Sequence, residues 1–127
     1  PGMDESFDIC NRKIAEYTWA VVHGRPCFHI SLVIDVSPYC DCHAENDVAI
    51  VPDVGMFASF DPVALDRACA DAVNRQPVMR GSMLDGCGHA HGDHFKDVTP
   101  ATDWHVALEH AEKLGLGTQE YQLIEVR

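Results

Sequence analysis

Basic residues are scarce. Lys and Arg together number 9 against 20 Asp and Glu, which leaves the 127-residue chain with a formal charge of −11. That balance argues against a nucleic-acid partner, because phosphate backbones attract Lys and Arg and repel carboxylates. Long apolar runs are missing too. None approaches the ~20 residues a bilayer-spanning helix needs, so no membrane partner is expected. There is no GxGxxG, no phosphate-binding loop and no nucleophile elbow. The cysteines do not form the C-x2-C-x2-C-x3-C-P run of a ferredoxin, so the usual ligand set for a [4Fe–4S] cluster is lacking. The opening residues lack a basic segment followed by an apolar one, as a secretory leader would have.

What is present is a core-sized hydrophobic fraction, 46%, with 6 Cys and 8 His. The hydrophobic content excludes disorder, and the length suits one domain. Six cysteines permit a disulfide framework. A chain with an adequate core does not need one, so a reducing, cytoplasmic setting is expected. Cys10 and Cys69 fall at apolar-periodic helix positions and Cys27 opens a strand. All three read as small buried hydrophobes.

Residues 7–21 place Phe7, Cys10, Ile14, Tyr17 and Val21 at helical spacing, with Asp4 or Ser6 as cap and Gly24 as stop. Residues 27–36 alternate. Phe28, Ile30, Leu32, Ile34 and Val36 face one way, and Cys27, His29, Ser31, Val33 and Asp35 the other. Residues 48–51 and 54–59 are shorter strand candidates. Asp61 and Pro62 suit the cap and first turn of a helix whose stripe is Leu65, Ala68, Cys69, Ala72 and Val73. Residues 76–100 show no periodicity and read as a long loop. Residues 103–114 form a third helix, with Trp104, Ala107, Leu108, Ala111 and Leu114 on one face and Thr102 as cap. Residues 121–126 suggest a closing strand. The expected fold is a single layered α/β domain over residues 1–127, with a mixed sheet of about four strands and about three helices.

Two loops carry soft metal ligands. One holds Cys40, Cys42 and His43, and the other Cys87, His89, His91 and His94, beside Asp93. Thiolates and imidazoles bind zinc and thiophilic iron, so these seven residues are the candidate metal ligands, in one closed site or two open ones. Asp35, at a strand end, is suited to hold a cation or act as a base. Asp61 is a weaker catalytic candidate because capping already explains it, and turn chemistry explains Asp53. His29 reads as a core histidine more readily than a ligand.

Two stretches carry a family resemblance. The first runs Phe28, His29, Ile30, Ser31, Leu32, Val33, Ile34, Asp35, Val36, Ser37, Pro38, Tyr39, Cys40, Asp41, Cys42, His43. The second spans residues 51–66 and contains Ala58, Ser59, Asp61, Pro62, Val63, Ala64 and Asp66 as an AS-x-DPVA-x-D signature. Both resemble the C-terminal part of the uncharacterised iron–sulfur-centre proteins of domain-of-unknown-function family 362, and residues 108–117 are similar as well. The resemblance implies an α/β domain accompanied by a ferredoxin-like segment that binds [4Fe–4S] clusters, hence a redox or electron-transfer association. The motif positions it carries over are Asp35, Cys40, Cys42, His43, Asp53, Ser59, Asp61 and Asp66. The ferredoxin cysteines are missing, so the chain is either a fragment lying after that segment, which the Pro1-Gly2-Met3 start fits, or a divergent member.

Three readings follow. The first is the non-ferredoxin domain of an iron–sulfur protein with a Cys/His site for zinc or iron. The second is a metal-dependent enzyme domain with its site at strand ends around Asp35 and Asp61. The third is a structural domain that packs on the ferredoxin-like segment or on a second copy of itself.

Overall fold

The computed structural model describes residues 3–127, with side chains from residue 6 onward. The Pro1-Gly2 start lies outside the described residues. Helix α1 spans Met3–Val22. Neither Pro nor Gly interrupts that span, which favours a helix of this length. It ends at Gly24, whose φ of 69° lies in the left-handed region that glycine adopts without a Cβ penalty. Because α1 begins at Met3, Asp4 and Ser6 lie inside it rather than capping it.

The apolar stripe expected to bury α1 points the other way. Cys10, Ile14, Tyr17 and Val21 are exposed, while Ala15 is buried with Asn11 and Trp19 beside it. The small Ala15 lets α1 approach α5, His105–Lys113, closely. Asn11 Nδ2 donates to the Asp103 carbonyl at 3.0 Å, and His110 Nε2 lies 3.3 Å from Glu16 Oε1. Shape and hydrogen bonding, more than apolar count, choose this face.

Strands β1, His29–Val33, and β2, Gly55–Ser59, pair antiparallel with His29 opposite Ser59 and Val33 opposite Gly55. Among the described residues this two-stranded ribbon is the whole sheet, not a mixed sheet of four strands. Residues 48–51 do not join it. Ile50 makes isolated main-chain bonds instead, donating to Val36 at 2.8 Å and accepting from Met79 at 2.8 Å, while Ile50 and Val51 fill the core. Residues 121–126 run extended but make no backbone pairing with β2. A groove of about 860 Å3, floored by Ala64, Leu65 and Ala68, separates the two.

Helix α2, Pro62–Asn74, covers one face of the ribbon and serves two core clusters. Val73 packs with Val33, Ile50, Val51 and Leu84, and Val63 packs with Ala15, Leu108 and Ala111. Its expected stripe is the buried one, save that Cys69 is only half-buried. Residues 76–100 are not structureless. They contain one-turn helices α3, Met83–Cys87, and α4, His94–Val98, capped by Ser82 and Asp93. Helix α5 follows Trp104, which gives no side-chain cap; just before it the Asp103 carboxylate accepts the His105 N–H at 3.0 Å. Thr102, the expected cap, bonds the Thr99 carbonyl. The result is a mixed α/β fold with five helices among the described residues. None of them is long and apolar enough to cross a membrane.

Candidate functional site

The first candidate loop leaves β1 through Asp35, whose φ of 48° is a left-handed conformation that Asp tolerates better than most residues. The turn is held by Asp53, whose Oδ1 accepts the Asp35 N–H at 2.8 Å. Asn46 then organises residues 37–47. Its Oδ1 accepts from the Tyr39 N–H, and its Nδ2 donates to Ser37 Oγ and to the Tyr39 carbonyl. A tight turn follows, closed by the His43 N–H donating to the Cys40 carbonyl at 3.0 Å.

Cys40 and Cys42 stand two residues apart on that turn, both exposed and free. The Cys42 N–H and thiol hold Cys40 below the usual thiol range. Cys42 is raised in return, because its proton is engaged by Cys40. His43 does not join them. Its ring lies against Tyr39, with centroids 5.3 Å apart, and its Nδ1 is 3.7 Å from Glu45 Oε1.

The second loop is not assembled. Cys87, His89 and His91 are exposed. His94 instead ties α4 to the end of α2, since its N–H donates to Asn74 Oδ1 at 2.8 Å and its Nε2 donates to the Gln76 carbonyl at 2.9 Å. That leaves Nδ1 as its one lone pair for a cation. Among the described residues, no group of three or more His, Cys, Asp or Glu side chains is placed to hold a metal ion. The roots of the two loops do border one another. Ser37 and Pro38 face Phe95, Val98 and Thr99 across a cleft of about 280 Å3.

Asp35 and Asp61 are not brought together. Each follows the C-terminal end of a strand, and in an antiparallel pair those ends are opposite. They lie beyond opposite ends of the five-pair ladder. Asp61 is also fully engaged. Its Oδ1 accepts the Val63 and Ala64 N–H groups at 2.9 and 3.0 Å, and its Oδ2 accepts from Thr118 at 2.9 Å. Ser59 Oγ fixes the approach by accepting the Asp61 N–H.

Sequence reasoning passed over Asp97. Asp97 is buried; its Oδ1 accepts the His91 N–H at 3.0 Å and its Oδ2 has no partner. Nothing in a five-residue helix pattern flags a charge as interior. His29 faces α2 with its Nε2 buried and unpartnered. Nearby, desolvation raises the Asp66 carboxyl, with His29 pulling the other way, and burial raises Cys69, with the Ser31 hydroxyl offsetting part of it. So His29 belongs to the covered face, as expected, but without a hydrogen-bond partner at that nitrogen.

A family model described as a domain of unknown function, DUF362, matches residues 3–71. The chain belongs to the DUF362 family. The DUF362 segment takes in α1, the ribbon, the Cys40 turn and most of α2, while the loop at Cys87, His89, His91 and His94 lies beyond it. Comparison with curated proteins and with solved structures gave no significant match.

Proposed function

We propose that this DUF362 chain is a metal-binding domain with a redox association, and that Cys40 and Cys42 are its thiolate pair. The observation that carries this reading is a pair of exposed, free cysteines two residues apart on a turn that Asn46 and the His43 N–H hold in place. Two sulfurs on one turn suit a single soft ion such as zinc or thiophilic iron. They do not suit a [4Fe–4S] cluster, which takes four thiolates. In this reading any such cluster belongs to a ferredoxin-like segment of the parent protein, a partner the family resemblance implies, and the setting is the reducing cytoplasm. His43 is the nearest further donor, and it reaches the ion by turning away from Tyr39. Cys87, His89, His91 and His94 are the reserve from which a fourth ligand comes, across the cleft between the loops.

The chemistry available from this chain's residues is limited and specific. The two cysteines bind as thiolates, so their remaining thiol protons are released when a soft cation binds. The test is a cadmium titration of the reduced full chain, read by sulfur-to-metal absorption. A band saturating at one equivalent is expected, lost in Cys40→Ser and Cys42→Ser and kept in Cys10→Ser. No band, or a band indifferent to both loop substitutions, overturns the proposal.

A further inference from the structure

Cys40 and Cys42 are free, exposed and carried by one turn. The His43 N–H closes that turn on the Cys40 carbonyl at 3.0 Å, and Asn46 pins Ser37 and Tyr39 just before it. Two peptide links join the Cα atoms of the pair. Fully extended, such links span about 7 Å, which is too far for a disulfide. A turn folds them together, toward the roughly 4.4–6.8 Å in which one closes. The other four cysteines belong to other elements. Cys10 lies in α1, Cys27 stands before β1 while the turn follows it, Cys69 is half-buried in α2, and Cys87 ends α3.

We infer that Cys40 and Cys42 are a reversible oxidation site, closed to an intra-turn disulfide by a low-molecular-weight disulfide and reopened by a small thiol. The inference deepens the proposed metal reading and rests on it in one respect: oxidation switches the thiolate pair off as a ligand. The sulfur of one cysteine attacks the small disulfide, and one half of that molecule leaves as a thiolate. The second cysteine then attacks the protein sulfur of the mixed disulfide, and the other half leaves. The protein pair gives up two electrons and two protons, and the small disulfide takes up both and becomes two thiols.

The bond closes a small ring and faces solvent. Strain and exposure both make a disulfide easy to reduce, as regulatory ones are. In a reducing setting it is therefore transient, formed when the small-disulfide level rises. Bonded sulfurs no longer carry the negative charge that a soft cation takes from thiolates. A cation bound to the reduced pair in turn protects it, because what binds only one state stabilises that state.

The test equilibrates the metal-free full chain with oxidised and reduced glutathione in varied ratio, then quenches with acid, alkylates and maps the cysteines by mass spectrometry. As the oxidised form is raised, Cys40 and Cys42 are expected to lose alkylation together. The chain becomes lighter by two hydrogens, excess reduced glutathione restores it, and Cys10 stays alkylated. Cys40→Ser stops at a single glutathione adduct on Cys42, whereas Cys87→Ser closes the same bond as the parent chain. Full alkylation at every ratio overturns the inference. So do one glutathione on each cysteine without closure, a bond to Cys87, or a covalent dimer through either residue. Cadmium titration of the reduced chain is a separate readout. A sulfur-to-metal band with no disulfide overturns this inference and leaves the metal reading standing. A disulfide with no band supports the oxidation site and overturns the metal reading.

Discussion

Cys40 and Asp61 show how one side chain's neighbours decide its chemistry. The neighbouring Cys42 N–H and thiol lower the Cys40 thiol, so it ionises before an ordinary cysteine. With iodoacetamide, Cys40 is expected to react before Cys42, at a pH below the ordinary thiol range. Cys42→Ala removes the thiol donor and moves that onset up, as mass mapping of the alkylated chain would show; equal rates at the two sites contradict it. Asp61 is a structural carboxylate. Its two oxygens cap α2 and tie down residue 118, and a Cβ on Gly117 would overlap it. Asp61→Ala is therefore expected to cost about 1–2 kcal/mol by denaturant unfolding, with Asp61→Asn recovering most of it. Burial alone would raise Asp103, but the His105 ring and N–H outweigh it and hold it below the usual carboxylate range. The stability it contributes is present above about pH 3.9, the unfolded value, and is lost as pH falls through its lower folded value. Asp103→Asn should flatten the drop in melting temperature on acidification; an unchanged slope counts against the pairing. Asp61 was legible from its sequence position because the cap and Pro62 are local. The Asp97 and His29 environments were not, because each depends on a neighbour far along the chain.

At the scale of elements, α2 and α5 were legible because their stripes and end signals agree. Leu65, Ala68 and Val73 are where the helical period puts them, and so are Leu108 and Ala111. The period of α1 was equally clear, but periodicity identifies an apolar stripe without saying whether this fold covers it. Helices α3 and α4 were hidden because one turn is shorter than the period needs to register. Their importance is nonetheless that of core elements. Leu84, in α3, is fully buried against Val33, Val51 and Val73. Leu84→Ala is expected to cost about 2–5 kcal/mol, measured by chemical unfolding, whereas a residue in a solvated loop would cost almost nothing. Asp93 joins α4 to α5, since its Oδ1 caps α4 and its Oδ2 accepts from Trp104 Nε1 at 2.8 Å.

For the molecule as a whole, the α/β class was readable from alternation in one segment and helical spacing in three others. The sheet count was not. Residues 48–51 and 121–126 have strand-like composition, but a strand needs a ladder; Ile50 makes only two isolated main-chain bonds and residues 121–126 pair with neither strand. Nor does alternation reveal which face is covered. The apolar side of β1 and β2 is the open one, because α2 meets the side that holds Val33 and Phe57. The Cys40 turn sits at the end of the ribbon where Asp35 and Asp53 lock the chain reversal, and Asp61 lies at the other end. Asp35 and Asp61 thus stand at opposite ends of the ribbon, while Cys40 and Cys42 share one turn.

The central claim is that Cys40 and Cys42 together bind a soft metal ion. X-ray absorption at the zinc edge, on reduced full-length chain loaded with one equivalent of zinc, tests it most directly. Two sulfurs per zinc at about 2.3 Å, falling to one in Cys42→Ser, is the predicted result. A shell of nitrogen and oxygen alone, or a sulfur count that Cys42→Ser leaves unchanged, would contradict it.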